Sequence, residues 1–272
     1  MNGKIYYVIQ YTIKDTSSQL HHNDRTLMTK RRKEKMNRDS QEIRLRAVEK
    51  YHDDRQRPPL IAKNKNQKAH LKALNCHATP VLLATGCAGT GKTFLSVTHA
   101  ADAYLKGEVS HIILSRANVP TGRSLGAMKG DKDEKMSHWL APMIDVLRQR
   151  MGAARYDIAL ARGDIEFQPI ETIRGRSFGG DEGGAYVLVD EAQQLEVDEI
   201  KAVTTRIGEN CKLILMGDLA QSDIKLKSGL GTLVSLIDKY DLPITIIDYK
   251  LDDICRSETC RMFVEMFYLE GI

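Results

Sequence analysis

From residue 61 onward, short runs rich in apolar residues alternate with longer stretches in which apolar positions recur every three to four residues. The short runs fall at 81–84, 111–114, 165–170, 186–189, 212–216 and 244–248, and are rich in β-branched and aliphatic side chains. Near-continuous apolar runs of this length are how strands buried on both faces read, whereas a strand with one wet face alternates. The longer stretches predict helices at 93–106, 134–151, 197–207 and 230–240; the second carries Trp139, Leu140, Ile144 and Leu147 at helical spacing. Strand and helix in strict alternation predict an α/β fold with a parallel sheet and helices on both faces. The one glycine-loosened segment inside this region, "SFGGDEGG" at 177–184, reads as a mobile loop before a strong strand.

The first 60 residues do not share the pattern. They are polar, with a possible helix at 42–51, and end in "RQRPPL", where Pro58 and Pro59 stop any helix and mark a linker. Two units are therefore expected, an extension at 1–60 and an α/β domain at 61–272. Charge separates them as well. The chain carries a net +4, yet residues 25–57 alone hold twelve Lys/Arg against six Asp/Glu. A basic arm on a near-neutral body suits nucleic acid or another anionic surface, and equally a solvated helix or tail. No apolar run is long enough to span a membrane or serve as a signal peptide, which predicts a cytoplasmic protein without membrane contact. The five cysteines, Cys76, Cys87, Cys211, Cys255 and Cys260, form no C-x-x-C pair and read as reduced thiols.

Candidate chemistry sits at the ends of the predicted strands. "GCAGTGKT", comprising Gly86, Cys87, Ala88, Gly89, Thr90, Gly91, Lys92 and Thr93, matches G-x-x-x-x-G-K-[ST] between a strand and a helix. Glycines there let successive backbone N–H groups converge on phosphate oxygens, and the helix start adds unpaired donors and the positive end of its dipole. Lys92 would reach the outer phosphates of ATP and the Thr93 hydroxyl would coordinate Mg²⁺. In "AYVLVDEAQ" a strand delivers Asp190 to hold the Mg²⁺ and Glu191 to polarise an attacking water; adjacent carboxylates at a strand end can also simply cap a helix. "LILMGDLAQSD" adds Asp218 and Gln221 behind the small Gly217, placed to sense the terminal phosphate, although a type I turn uses the same residues. Gln67, about twenty residues before the cradle, offers an amide that can pair with an adenine edge.

Gln67, the cradle, "ETIRGRSF", "VLVDEAQ", "TRIGENCKLILMGDLAQSD" and "KSGL" together resemble the PhoH family of P-loop ATPases, from about residue 61 to the end of the chain. The resemblance implies a RecA-like domain related to superfamily 1 helicases, ATP hydrolysis with magnesium, a homo-oligomer in the form of a hexameric ring, and action on single-stranded nucleic acid, RNA in preference to DNA. It lends Arg174, Arg176, Arg206 and Arg256 candidate roles in contacting phosphates of the same or a neighbouring subunit, with Arg176 and Arg256 first as arginine fingers. The chain departs from the family at Cys87, where proline is common, and varies within 115–136 around Arg116, Gly122, Leu125, Gly126 and Gly130. A competing reading of the same nucleotide site is an ATP-controlled assembly switch that moves no strand. A small-molecule kinase is a third, and the carboxylate pair 190–191 argues against it by pointing to water as the nucleophile.

Overall fold

The computed structural model describes residues 57–117, 137–180, 183–221 and 228–270. The basic arm, with its predicted helix at 42–51, and most of the 115–136 segment lie outside them. Six strands, β1 (Val81–Gly86), β2 (His111–Arg116), β3 (Ile165–Phe167), β4 (Ala185–Asp190), β5 (Cys211–Gly217) and β6 (Thr245–Tyr249), form one sheet in the order β3-β2-β4-β5-β1-β6. Every neighbouring pair is parallel. The helices are α1 (Lys65–Leu74), α2 (Lys92–Leu105), α3 (Ala141–Met151), α4 (Ala153–Arg162), α5 (Val197–Thr204), α6 (Gly229–Lys239) and α7 (Glu258–Glu270).

Period-two alternation along each strand sends side chains to two separate cores. Leu82, Ala84, Ile112, Leu114, Leu188 and Ile214 pack with α1 to α4. Leu83, Ile113, Val187, Val189, Leu213 and Leu215 face the other way, onto α5 and α6. Most of these side chains are fully buried, and each contributes roughly 1.5–3 kcal/mol relative to an exposed position. Both faces of the sheet are covered, which is why the strands read as near-continuous apolar runs.

The predicted helix at 134–151 is corrected in its described part. Leu140 and Pro142 set a fresh helix start, and Gly152, at φ 85, separates α3 from α4, a helix the apolar pattern did not suggest. The predicted strand at 165–170 stops at Phe167, because Pro169 cannot donate to the ladder and a 3₁₀ turn follows from Ile170 to Gly175. The described flanks of the 177–184 loop are fastened rather than loose. Phe178 is buried and its N–H donates to Arg206 O at 2.8 Å, while Gly180 N–H donates to Glu209 O at 2.9 Å. Lys212 is an uncommon buried cation on β5. Its ammonium donates to Ala73 O, Leu74 O and Cys76 O at 3.0, 2.6 and 2.8 Å, satisfying carbonyls at and just beyond the end of α1.

Candidate functional site: a phosphate cradle and its carboxylates

Parallel strands present all their carboxyl ends along one edge of the sheet, and the order places β1 between β5 and β6 there. The loop after β1 carries Gly86, Gly89 and Gly91 at φ 106, 79 and 86, conformations that favour glycine. Gly86 is fixed by contact as well, since a Cβ there would lie 1.9 Å from the carbonyl oxygen of Tyr249 on β6. Helix α2 begins at Lys92 with no side-chain cap, so its first N–H groups face the loop. The Lys92 ammonium donates to Gly86 O and, at 2.7 Å, to Cys87 O, and burial lowers its pKa. Cys87 is buried; its thiol pKa is raised by that burial and by the nearby Asp218.

Thr93 Oγ1 donates to Asp190 Oδ1 at 3.1 Å, which brings the two predicted metal ligands together across ninety-seven positions of sequence. Desolvation, then the neighbouring Glu191, raises the Asp190 pKa. Glu191 sits at φ 53 and ψ 34, a left-handed conformation rare for a residue with a side chain and held only where surrounding contacts dictate it. Those contacts are visible. Arg116 Nη2 donates to Glu191 Oε1 at 3.1 Å, and Gln193 Nε2 donates to Oε2 at 2.7 Å. The register pairs Arg116 with Asp190, so the last residue of β2 is placed beside the carboxylates by the sheet itself.

Gln193 connects this cluster to β5. Its Oε1 accepts the Asp218 N–H at 3.1 Å, and a Cβ at Gly217 would lie only 2.5 Å from that oxygen. The small residue at 217 thus makes room for the amide of Gln193. Asp218 is buried, and its Oδ1 accepts the Ala220 N–H at 3.1 Å. The backbone of Gln221 closes a 3₁₀ turn; its side chain lies outside the described residues.

The cradle from Ala88 to Thr93 and the side chains of Arg116, Asp190, Glu191 and Asp218 line one cavity of about 590 Å³ together with Gln67, Cys255 and Arg256. Gln67 is fixed to the cradle: its Nε2 donates to Thr90 O at 2.9 Å and its Oε1 accepts the Lys63 N–H at 2.7 Å. Arg256 lies over the loop, its Cγ 3.2 Å from where a Gly89 Cβ would be, and the adjacent Cys255 N–H donates to Gly89 O at 3.0 Å. Arg176 is elsewhere. It pairs with Glu166 on the edge strand β3 and stacks 5.5 Å from the Phe178 ring centre, away from the cavity lining, as are Arg174 and Arg206. Sequence reading missed Gln193 as a site residue and named Arg116 without a partner. The available signal was their position at or just past a strand end.

The pattern of phosphate-binding loop, strand-end carboxylate and parallel sheet is that of a RecA-like P-loop NTPase domain. Among the described residues no helix is long and apolar enough to cross a membrane. The chain is 33% identical over 213 residues to Protein PhoH of Escherichia coli (strain K12), covering 77% of this chain and 58% of that protein. It is 37% identical over 208 residues to a PhoH-like protein of Synechocystis sp., covering 76% and 61%. It therefore spans about three fifths of the length of these relatives. Among solved structures it is similar to the Pif1 helicase from Candida albicans, at TM-score 0.39 and 15% identity, covering 78% of this chain and 44% of that one. A family profile described as PhoH-like protein matches residues 59–268, and the chain belongs to that family.

Proposed function

We propose that the chain is a magnesium-dependent ATPase whose cycle acts on single-stranded nucleic acid, RNA in preference to DNA. The observation that carries this reading is the pairing of Thr93 with Asp190 at 3.1 Å beside the cradle, with Glu191 held at positive φ next to them. Thr93 and Asp190 offer only oxygen ligands, the donor set that suits Mg²⁺. When bound, the ion would neutralise charge on the outer phosphates. Lys92 exchanges loop carbonyls for phosphate oxygens, and the cradle N–H groups bind the rest of the chain of phosphates. Glu191, oriented by Arg116 and Gln193, accepts a proton from the attacking water, with Asp218 and Gln221 beside the leaving phosphate. Arg256 supplies positive charge over the cradle. Arg176 faces away from its own cavity and suits a finger role only toward a neighbouring subunit of a hexameric ring, after leaving Glu166.

The basic arm at 25–57 supports a nucleic-acid partner. A second reading, the assembly switch, gains support from α7, where Met262, Phe263, Met266 and Phe267 are 45–55% exposed. Steady-state ATP turnover with and without single-stranded RNA or DNA, at two salt concentrations, separates the two. A rate that rises with a strand and falls with salt supports the motor. A rate indifferent to both strands, with oligomer size set by ATP, supports the switch. Glu191→Gln should keep ATP binding and lower kcat by about 10²–10⁴; turnover at the parent rate would remove Glu191 from the mechanism. Lys92→Ala should abolish nucleotide binding or turnover.

A further inference from the structure

Beyond the cradle and the carboxylates, the same cavity is lined by Ile61, Phe94, Pro142 and Val146. Ile61 and Phe94 are 70% and 49% exposed. A single exposed apolar residue means little, but several sharing the concave wall of a polar cavity form an apolar subsite. Phe94 follows Thr93 on α2, and successive helical residues point about 100° apart, so its ring leaves the Asp190 side for another wall.

That wall is fastened from three directions. Arg150 on α3 grips both carboxylate oxygens of Asp102 on α2 at 2.6 and 2.7 Å and donates its Nη1 to Pro58 O at 2.7 Å. The segment carrying Ile61 is thereby tied at Pro58 to α2 and α3, and at Lys63 to Gln67. The apolar surfaces belong to a built site, contributed by the entry segment, α2 and α3.

The polar groups beside it read little. An adenine edge is distinguished by a donor and an acceptor side by side, which an amide can match. Gln67 would be that amide, yet it is 4% exposed and its Nε2 already donates to Thr90 O at 2.9 Å and Cys255 Sγ at 3.4 Å. Matching adenine would cost it its hold on the cradle. Lys63, also in the lining, is a donor only and can meet the N7 acceptor that adenine and guanine share, so it does not require adenine.

We infer that the cavity holds the base by its faces, against Phe94 and Ile61, and takes purine nucleoside triphosphates as a class rather than ATP alone. This rests on the nucleotide reading of the cradle. The test is titration calorimetry of the full chain with Mg²⁺ and the β,γ-imido analogues of ATP and GTP, alongside inorganic tripolyphosphate. The two analogues should bind within about threefold of each other and each about tenfold or more tighter than tripolyphosphate. Phe94→Ala should lose about tenfold on both analogues and less than about twofold on tripolyphosphate, and Phe94→Trp should restore the loss. A preference above about tenfold for the adenine analogue, or full nucleotide affinity in Phe94→Ala, would overturn the face-held slot while leaving the cradle intact. If tripolyphosphate and both analogues all failed to bind, the cradle reading would fall and the slot with it.

Discussion

Replacing Gln193 by methionine keeps side-chain length and removes both polar contacts of its amide with the carboxylate cluster. In the parent chain Nε2 donates to Glu191 Oε2 at 2.7 Å and Oε1 accepts the Asp218 N–H at 3.1 Å, in a residue only 1% exposed. A hydrogen bond to a carboxylate contributes about 1.5–3 kcal/mol. The left-handed backbone of Glu191 costs about 1–3 kcal/mol, so bond and strain are of similar size. Without the bond, the carboxylate leaves the required geometry for much of the time. A loss of about 2 kcal/mol at this step corresponds to roughly 30-fold in kcat. The two bonds removed both belong to the carboxylate cluster, so the loss should fall on kcat, with KM for ATP within about threefold. The buried Asp218 N–H also loses its acceptor, which should lower stability by about 1–3 kcal/mol. Steady-state ATP hydrolysis by Gln193→Met, with a thermal melt of the same sample, reads both quantities. A parent-like kcat in a folded but less stable variant would refute the orienting role and leave Gln193 as a structural brace.

Gly86→Ala would place a Cβ against the Tyr249 backbone at a positive φ, and should cost about 3 kcal/mol or more and abolish nucleotide binding, measured by melting and calorimetry. Lys212→Met should lower the melting temperature by about 4–8 °C, because three carbonyls around the end of α1 lose their donor. His70 is fully buried between Tyr249 and Ser96, and desolvation lowers its pKa to about 3; His99 is lowered to about 4 by the same cause. Both are kept neutral by folding, so the unfolded chain binds more protons below pH 6.5 and stability must fall as pH drops from there. At pH 4.5 His70 alone should remove roughly 2–3 kcal/mol, a dependence that denaturant titrations at several pH values should find reduced in His70→Gln.

Most of the sheet was legible because its strands are buried on both faces, a condition that writes itself into consecutive positions such as 81–84 and 212–216. The loop at 86–93 was legible for a related reason: its positive-φ glycines stand at fixed spacing within one stretch of chain. Features that depend on partners distant in the chain were not. Gln193 matters through Asp218, and Arg116 through the β2–β4 register. Helix α7 was missed because none of its residues is buried, so no apolar stripe matched to a core marks it. Gln67 was singled out for an amide able to pair with adenine, but a sequence does not tell that this amide is already committed to Thr90.

Tyr249 ties the edge strand β6 to the cradle through its carbonyl against Gly86, and to α1 through its hydroxyl, 2.8 Å from His70. Edge strands are ordinarily among the first elements to fray, and they do so independently of sites elsewhere in a sheet. Here the outermost ladder is also the back wall of the phosphate loop, so opening β6 removes the surface on which the loop is moulded. Any ligand that holds the loop closed must therefore slow amide exchange along 245–249, in residues that it does not touch.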